Sequence, residues 1–505
     1  MNQPEVIAKP WPALWALVIG FFMILVDSTI VSVATPAIIK DLGADLTAVI
    51  WVTSAYLLAY AVPLLVAGRL GDRFGPKNLY LVGLVIFTLS SLWCGLAGDI
   101  NMLIVARVAQ GLGAALMTPQ TMAVITRIFP PDRRGAAMGL WGATAGVATL
   151  VGPLLGGVLV DTLGWESIFI VNVPVGVVAF VLAWRLVPSL TTHPHKFDIL
   201  GVVLSGIGLF LVVFGLQEGE TYDWGTITGF ISVPLLIGAG VVVLALFVVW
   251  QGVQKGEPLL PLTLFKDRNF SLANIAITAM GFVITGMVLP LMIFFQSVRE
   301  LTPTQAALML VPMAVISGAL APVVGKLVDR VNPRWIAGAG FLFLTIALFW
   351  FGALLSPDVP IWVLLFPAAL LGLANAGIWA PLSSTATRNL PMHLAGAGSG
   401  VYNTTRQIGA VLGSAAIAAL MTARITAELG ADAAANGNEF GGGTMPAVVA
   451  EGFSAAMGQS MFLPAAVALI GLVAALFFVK PTARSWVKPE ASTSDAEPVV
   501  DAPVA

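Results

Sequence analysis

Chemistry-bearing side chains are scarce in this chain. Its 505 residues include one cysteine, three histidines and five tyrosines, and Asp, Glu, Lys and Arg together make up only 10%. A single cysteine, Cys94, excludes an internal disulfide framework and a cysteine-based metal site. The histidines, His193, His195 and His393, fall in polar connectors, away from the apolar runs. No H-E-x-x-H and no Walker-type phosphate loop occurs, so a zinc hydrolase and an ATP-driven machine are both unsupported. A net charge of −2 leaves no basic footprint for nucleic acid. No metal and no cofactor is expected.

Apolar residues are abundant instead: 58% of the chain is hydrophobic, and its mean hydropathy is +0.94. That balance belongs to membrane proteins, whose solvent is the bilayer. About 20 apolar residues cross a bilayer as a helix. Runs of that length give an all-α integral membrane protein with fourteen expected spans: 14–36, 49–71, 79–97, 103–126, 135–160, 167–184, 200–217, 227–250, 270–297, 305–328, 335–355, 361–387, 396–422 and 460–479. The first run is too long for a cleaved signal peptide.

Lys and Arg orient the spans. With the N-terminus inside, nineteen of the 24 fall on the inner side and three on the outer, while Arg107 and Arg406 lie within spans. Both termini are therefore expected in the cytoplasm and the chain in the cell's inner (plasma) membrane. The long outer connector 423–459, rich in Ala and Gly, reads as mobile with room for a short amphipathic piece before the last span, and the polar tail 481–505 reads as disordered.

An internal repeat divides the chain. GRLGDRFGPKNL (68–79) and GKLVDRVNPRWI (325–336) share G-x-L-x-D-R-x-x-P-[KR] at an offset of about half the chain. Gly68 aligns with Gly325, Asp72 with Asp329, Arg73 with Arg330, Gly75 with Asn332 and Lys77 with Arg334. Two six-helix halves follow, 1–188 and 268–480, with two extra helices in the linker 189–267. Parallel six-helix repeats are the architecture of major facilitator transporters, with a substrate site between the halves near the midplane.

One acid stands inside the first apolar run, in FFMILVDSTIVSVATP (21–36). Intramembrane acids mark proton relays or ligand sites, and Asp27 is the only acid expected deep within a span. Arg107 lies ~6 Å below its span boundary and Asp27 ~14 Å below the same face, a gap that an arginine side chain largely bridges. Two readings of Asp27 stand: a proton- or substrate-coupling group, and a structural acid paired only with Arg107 or local hydroxyls.

Several segments carry a family resemblance. GRLGDRFGPK resembles the signature loop of the major facilitator superfamily, with Pro76 replacing a basic residue. It supplies Gly68, Asp72, Arg73, Gly75 and Lys77 as a gate motif, to which Arg133 and the repeat's Asp329 and Arg330 are added. LIVARVAQGLGAA (103–115) resembles the fourth-helix motif. GATAGVATLVGPLLGG (142–157) resembles the fifth-helix antiporter motif through Gly146, Gly152, Pro153, Gly156 and Gly157. LVDSTIVSVATP, GWESIFIVNVPVG (164–176) and GVYNTTRQIGAVLG (400–413) resemble segments of the fourteen-span drug:proton antiporters, with Ser32, Thr35 and Glu166 departing from the usual residues.

The resemblance covers nearly the whole chain and implies the major facilitator fold. It also implies an exporter of drugs or amphipathic small molecules, driven by proton antiport through Asp27 and Arg107; a monomer is expected. A dedicated exporter of one metabolite, lipid or antibiotic is the alternative in the same fold, and an enzyme is not expected. The tenth and thirteenth spans lack the extra acids of some dication exporters. Asp27, Tyr56, Tyr60, Met117, Gln120, Asn274, Phe282, Asn375, Trp379, Asn403 and Arg406 are the expected substrate-binding residues, on spans that flank the central cavity in this fold.

Overall fold

The computed structural model describes residues 10–44, 46–130, 133–192, 198–219, 221–254, 258–328, 330–390, 394–430 and 447–479. Helices dominate them: α1 (Pro10–Leu42), α2 (Leu46–Ala61), α3 (Leu64–Phe74), α4 (Pro76–Gly95), α5 (Ile100–Ile128), α6 (Arg134–Leu163), α7 (Ser167–Ile170), α8 (Asn172–Leu186), α9 (Ile199–Gln217), α10 (Val233–Val253), α11 (Arg268–Ile293), α12 (Pro303–Leu308), α13 (Val311–Val328), α14 (Pro333–Leu354), α15 (Ile361–Arg388), α16 (Ala395–Leu429), α17 (Ala447–Ser460) and α18 (Phe462–Leu476).

Among the described residues, twelve helices are long and apolar enough to cross a membrane, or thirteen with the bent pair Trp51–Ala61 and Leu64–Phe74 as one span. The fifth expected span is a continuous helix, α6, that contributes a shorter apolar stretch, Val151–Leu163.

Local chemistry sets the helix ends. Asp99, Asp198 and Asp267 accept backbone N–H bonds at the starts of α5, α9 and α11, and Thr302 with Gln305 forms a capping box on α12. Gly75 joins α3 to α4 at φ +89°, a conformation that favours glycine, with Pro76 at the first helical position. Its repeat partner Asn332 also precedes a first-turn proline, but it caps α14 through its side chain at φ −62°.

Three boundaries differ from the sequence reading. The expected span 49–71 breaks at Pro63 with a 46° bend, because proline offers no N–H and crowds the preceding carbonyl. The expected span 227–250 begins with a two-strand hairpin, Thr226–Thr228 with Ile231–Ser232, and its helix starts at Val233. Ala- and Gly-rich sequence assigned to the outer connector is helical at both ends, since α16 runs to Leu429 and α17 begins at Ala447. The small residues there are packing surface: a Cβ on Gly458 would lie 2.6 Å from Gly352 O, and one on Gly452 would lie 2.6 Å from Leu429 Cδ2. Residues 431–446 and the expected tail 481–505 lie outside the described residues.

Helix α1 packs on α6 and α4 on α5, while α11 packs on α16 and α14 on α15. These groups meet where α3 touches α16 and where α6 touches α13 and α15. The pair α9–α10 sits against both groups. Trp51 and Phe214 lie 5.7 Å apart, and Leu58, Val213 and Val411 form one apolar cluster.

Candidate functional site

Asp27 lies on α1 and Arg107 on α5, both fully buried, with Arg107 Nη1 2.6 Å from Asp27 Oδ2. The other carboxylate oxygen accepts from Gln110 Nε2 at 2.9 Å and Asn172 Nδ2 at 3.0 Å. Asn172 also donates to Ser91 Oγ, which donates to Phe169 O. Arg107 has further partners. Nε donates to Val52 O at 3.1 Å, Nη1 reaches Gln110 Oε1 at 2.7 Å, and the guanidinium stacks 4.0 Å from the Tyr56 ring. Four helices, α1, α4, α5 and α8, thus converge on one buried carboxylate. Buried charge is tolerated where it is paired and hydrogen-bonded; of the Arg107 nitrogens only Nη2 has no partner in the protein.

Gln110 and Asn172 were not singled out from the sequence. Both stand inside quoted motifs, and Gln110 is three residues beyond Arg107, on the same helix face.

The antiporter motif packs beside this cluster. A Cβ on Gly152 would collide with Thr29 Oγ1 and lie 3.2 Å from Val26 O; one on Gly156 would lie 2.7 Å from Ile30 Cγ1. One on Gly157 would lie 3.1 Å from Thr304 Oγ1. Gly152 and Gly156, with Pro153 between them, bring α6 against the α1 turn that carries Asp27, while Gly157 faces α12. Gly146 lies on α6, its surroundings outside the described residues.

At the signature-loop end, Asp72 is buried. Arg127 Nη2 lies 2.6 Å from its Oδ1, and the backbone N–H groups of Gly396 and Ala397, in the first turn of α16, donate to its two oxygens at 3.0 Å. A carboxylate at a helix N-terminus meets unsatisfied donors and the positive end of the dipole. Gly68 makes this approach possible, because a Cβ there would lie 2.5 Å from Gly396 O. Arg134 bridges in the same region, donating to Thr387 O at 3.2 Å and Thr126 O at 2.7 Å. The cation on Asp72 is Arg127, which the sequence reading counts only toward the inner-side charge.

The remaining motif residues are more dispersed. Lys77 Nζ donates to Trp184 O at 2.7 Å. Arg73 lies over Phe74, and Arg133 and Arg330 are exposed. Asp329 lies outside the described residues.

The expected substrate residues separate into groups. Tyr60, on α2, and Arg406, on α16, meet across the two helix groups, with Arg406 Nη2 3.3 Å from Tyr60 Oη. Asn403 approaches Met122 Sδ at 3.9 Å. Asn274 accepts from Thr405 Oγ1 at 2.9 Å, which ties α11 to α16. Asn375 accepts from Trp379 Nε1 at 3.2 Å, and a Cβ on Gly142 would lie 2.5 Å from Trp379 Cβ. Phe282 is partly buried on the face of α11 that meets Gly413.

Two residues pack elsewhere than expected. Met117 is fully buried against Gly20 and Gly83, as core between α1, α4 and α5. Gln120 donates to Ala67 O at 2.8 Å and packs on Gly71, next to the Asp72 latch. Among the described residues no group of three or more His, Cys, Asp or Glu is arranged to hold a metal ion.

The family model described as Major Facilitator Superfamily matches residues 17–414. An uncharacterized MFS-type transporter, Rv1250 of Mycobacterium tuberculosis, is 54% identical over 97% of this chain and 84% of its own length. The tetracenomycin C resistance and export protein of Streptomyces glaucescens is 33% identical, covering 93% and 91%. Multidrug resistance protein Stp of Mycobacterium tuberculosis is 34% identical, covering 81% and 76%. The human organic anion transporter MFSD10 shares the fold, with a TM-score of 0.62 at 13% identity over 92% of this chain and all of that one.

Proposed function

The chain belongs to the major facilitator superfamily, and from that premise we propose that it is a proton-coupled antiporter exporting drugs or amphipathic small molecules by alternating access. Membership makes it a multi-pass membrane transporter. The direction and the proton are the proposal. Relatives whose names record export of tetracenomycin C or multidrug resistance support the direction.

The observation that carries the proton is the buried Asp27–Arg107 pair at 2.6 Å. A proton arriving on Asp27 removes the charge that Arg107 pairs with. Arg107 then keeps Val52 O, Gln110 Oε1 and the Tyr56 ring, which hold the guanidinium in place, but its charge loses its carboxylate and the closed packing is destabilised. Neutral Asp27 frees α1 to shift against α5, along the glycine face of α6. Opening at the signature-loop end in turn requires Asp72 to leave Arg127 and the α16 N-terminus. Protonation and gate opening are then two settings of one rocking motion.

Fourteen spans follow when α6, fifth in chain order, is added to the twelve long helices and the bent pair. They form the halves 1–188 and 268–480, with α9–α10 as an inserted hairpin in 189–267. Both termini lie in the cytoplasm, the chain in the plasma membrane, and the working unit is a monomer. With no acid in the sequence of the expected tenth and thirteenth spans, substrates other than dications are favoured. Export by vesicles under an imposed ΔpH, wild type against Asp27→Asn, tests the coupling. A resistance profile in a pump-deficient strain separates a broad exporter from a dedicated one.

A further inference from the structure

Arg406 is the second cation placed within a span, and its environment differs from that of Arg107. Among the described residues no carboxylate pairs with it. Its one hydrogen bond runs from Nη2 to Tyr60 Oη at 3.3 Å. Thr118 Oγ1 uses its only hydrogen on Ala114 O at 3.0 Å, so Tyr60 donates to Thr118 at 3.0 Å and only its lone pair faces Arg406. A neutral oxygen therefore holds the guanidinium, and its charge stays unneutralised at a helix crossing inside the bundle.

The helix face around Arg406 shares this deficit. Ser399, Tyr402, Asn403 and Arg406 follow at i, i+3, i+4 and i+7, one stripe of α16. Ser399, Tyr402 and Asn403 are fully buried. Yet Ser399 Oγ, Tyr402 Oη, Asn403 Oδ1 and Arg406 Nε have no hydrogen-bond partner in the protein. Proteins leave few buried polar atoms unsatisfied, and each costs stability. Four in two turns, three of them able to donate, mark a surface arranged for a ligand. Off the stripe, Thr405 is bonded to Asn274, while Thr404 Oγ1 also lacks a partner.

We propose that the donors of the α16 stripe, Ser399, Tyr402 and Arg406, with Tyr60 opposite, form the recognition site for the anionic head of an amphiphile, a carboxylate or sulfonate. The proposal rests on the exporter reading and narrows its substrate class. Two oxygens of such a head match the guanidinium fork, and the Tyr402 and Ser399 hydroxyls supply further donors. An ammonium head would face Arg406 as a like charge. Tyr60 orients the guanidinium and is a positioning residue.

The test uses purified protein in a non-ionic detergent with two fluorescent probes, pyrenebutyrate and the matching pyrenebutyl-trimethylammonium. Wild type binds the carboxylate more tightly. Arg406→Gln weakens pyrenebutyrate binding about tenfold or more and tightens binding of the cation. Arg406→Lys, which keeps the charge without the fork, falls between. Tyr60→Phe, which leaves Arg406 in place, weakens the carboxylate selectively. If both probes weaken equally in the variants, if neither changes, or if wild-type protein does not bind pyrenebutyrate, the proposal is overturned. Binding is measured without a gradient, so the two readings fail separately. Arg406-dependent selectivity without ΔpH-driven transport would end the exporter reading alone. ΔpH-driven export of the cation with no Arg406 effect would end this one alone.

Discussion

Asp72 and Gly396 are 324 residues apart in the chain and joined by a 3.0 Å hydrogen bond from the Gly396 N–H to the Asp72 carboxylate. The bond joins α3 to α16 at the signature-loop end by setting one helix's acid on another helix's N-terminus, where Gly68 leaves room for backbone contact.

This contact has a direct consequence for Gly68→Ala. The added methyl meets backbone atoms, Gly396 O at 2.5 Å and Gly400 Cα at 3.0 Å, so no rotamer change relieves it. The variant should spread α3 from α16. Spin labels at Phe74 and Asn389, both exposed at this end, should report a longer distance in Gly68→Ala and in Asp72→Asn than in the parent. An unchanged distance distribution would show that the latch does not hold this end closed.

Arg107 and Asp27 should behave as a unit in stability. Removing one member of a buried pair typically costs about 3–5 kcal/mol, because the other charge is left behind. Arg107→Gln should therefore lower the melting temperature in detergent more than the double variant Asp27→Asn/Arg107→Gln does. Additive losses, measured as a double-mutant cycle, would contradict the pairing.

Outside the membrane spans, Asp198 carries a pH prediction. Burial acts to raise its pKa, but hydrogen bonds from Gln251, Trp250, the Gly201 backbone N–H and Gln254 outweigh it and hold the carboxyl below its ordinary value. A group depressed in the folded state contributes stability above its unfolded pKa, about 3.9, and loses that contribution as pH falls through the folded value. Asp198→Asn should lower the melting temperature at neutral pH, and the gap should narrow below about pH 4. A gap constant from pH 7 to pH 3 would sink the idea.

Much of the Asp27 site was legible in the sequence, because an acid and an arginine inside apolar runs have few reasons to be there. Gln110 and Asn172 were visible as motif residues but without a role, since which amide reaches a carboxylate depends on how α5 and α8 are rotated. Arg127 looked like one more inner-side cation; only the fold brings it to Asp72. Boundaries failed where composition misleads: α17 is built of Ala, Gly and Ser, which read as a loop in water and as close-packing surface between membrane helices. Met117 and Gln120 sit on a helix expected to flank a cavity, but they pack into the core and beside Gly71.

The central claim is that Asp27 carries the exchanged proton. The most direct measurement is export of a fluorescent amphiphile by proteoliposomes under an imposed ΔpH, comparing wild type with Asp27→Asn, with gradient-free exchange measured in parallel. The account predicts that Asp27→Asn loses uphill, ΔpH-driven export while retaining downhill exchange. Full uphill export by Asp27→Asn, with the same pH dependence as wild type, would contradict it.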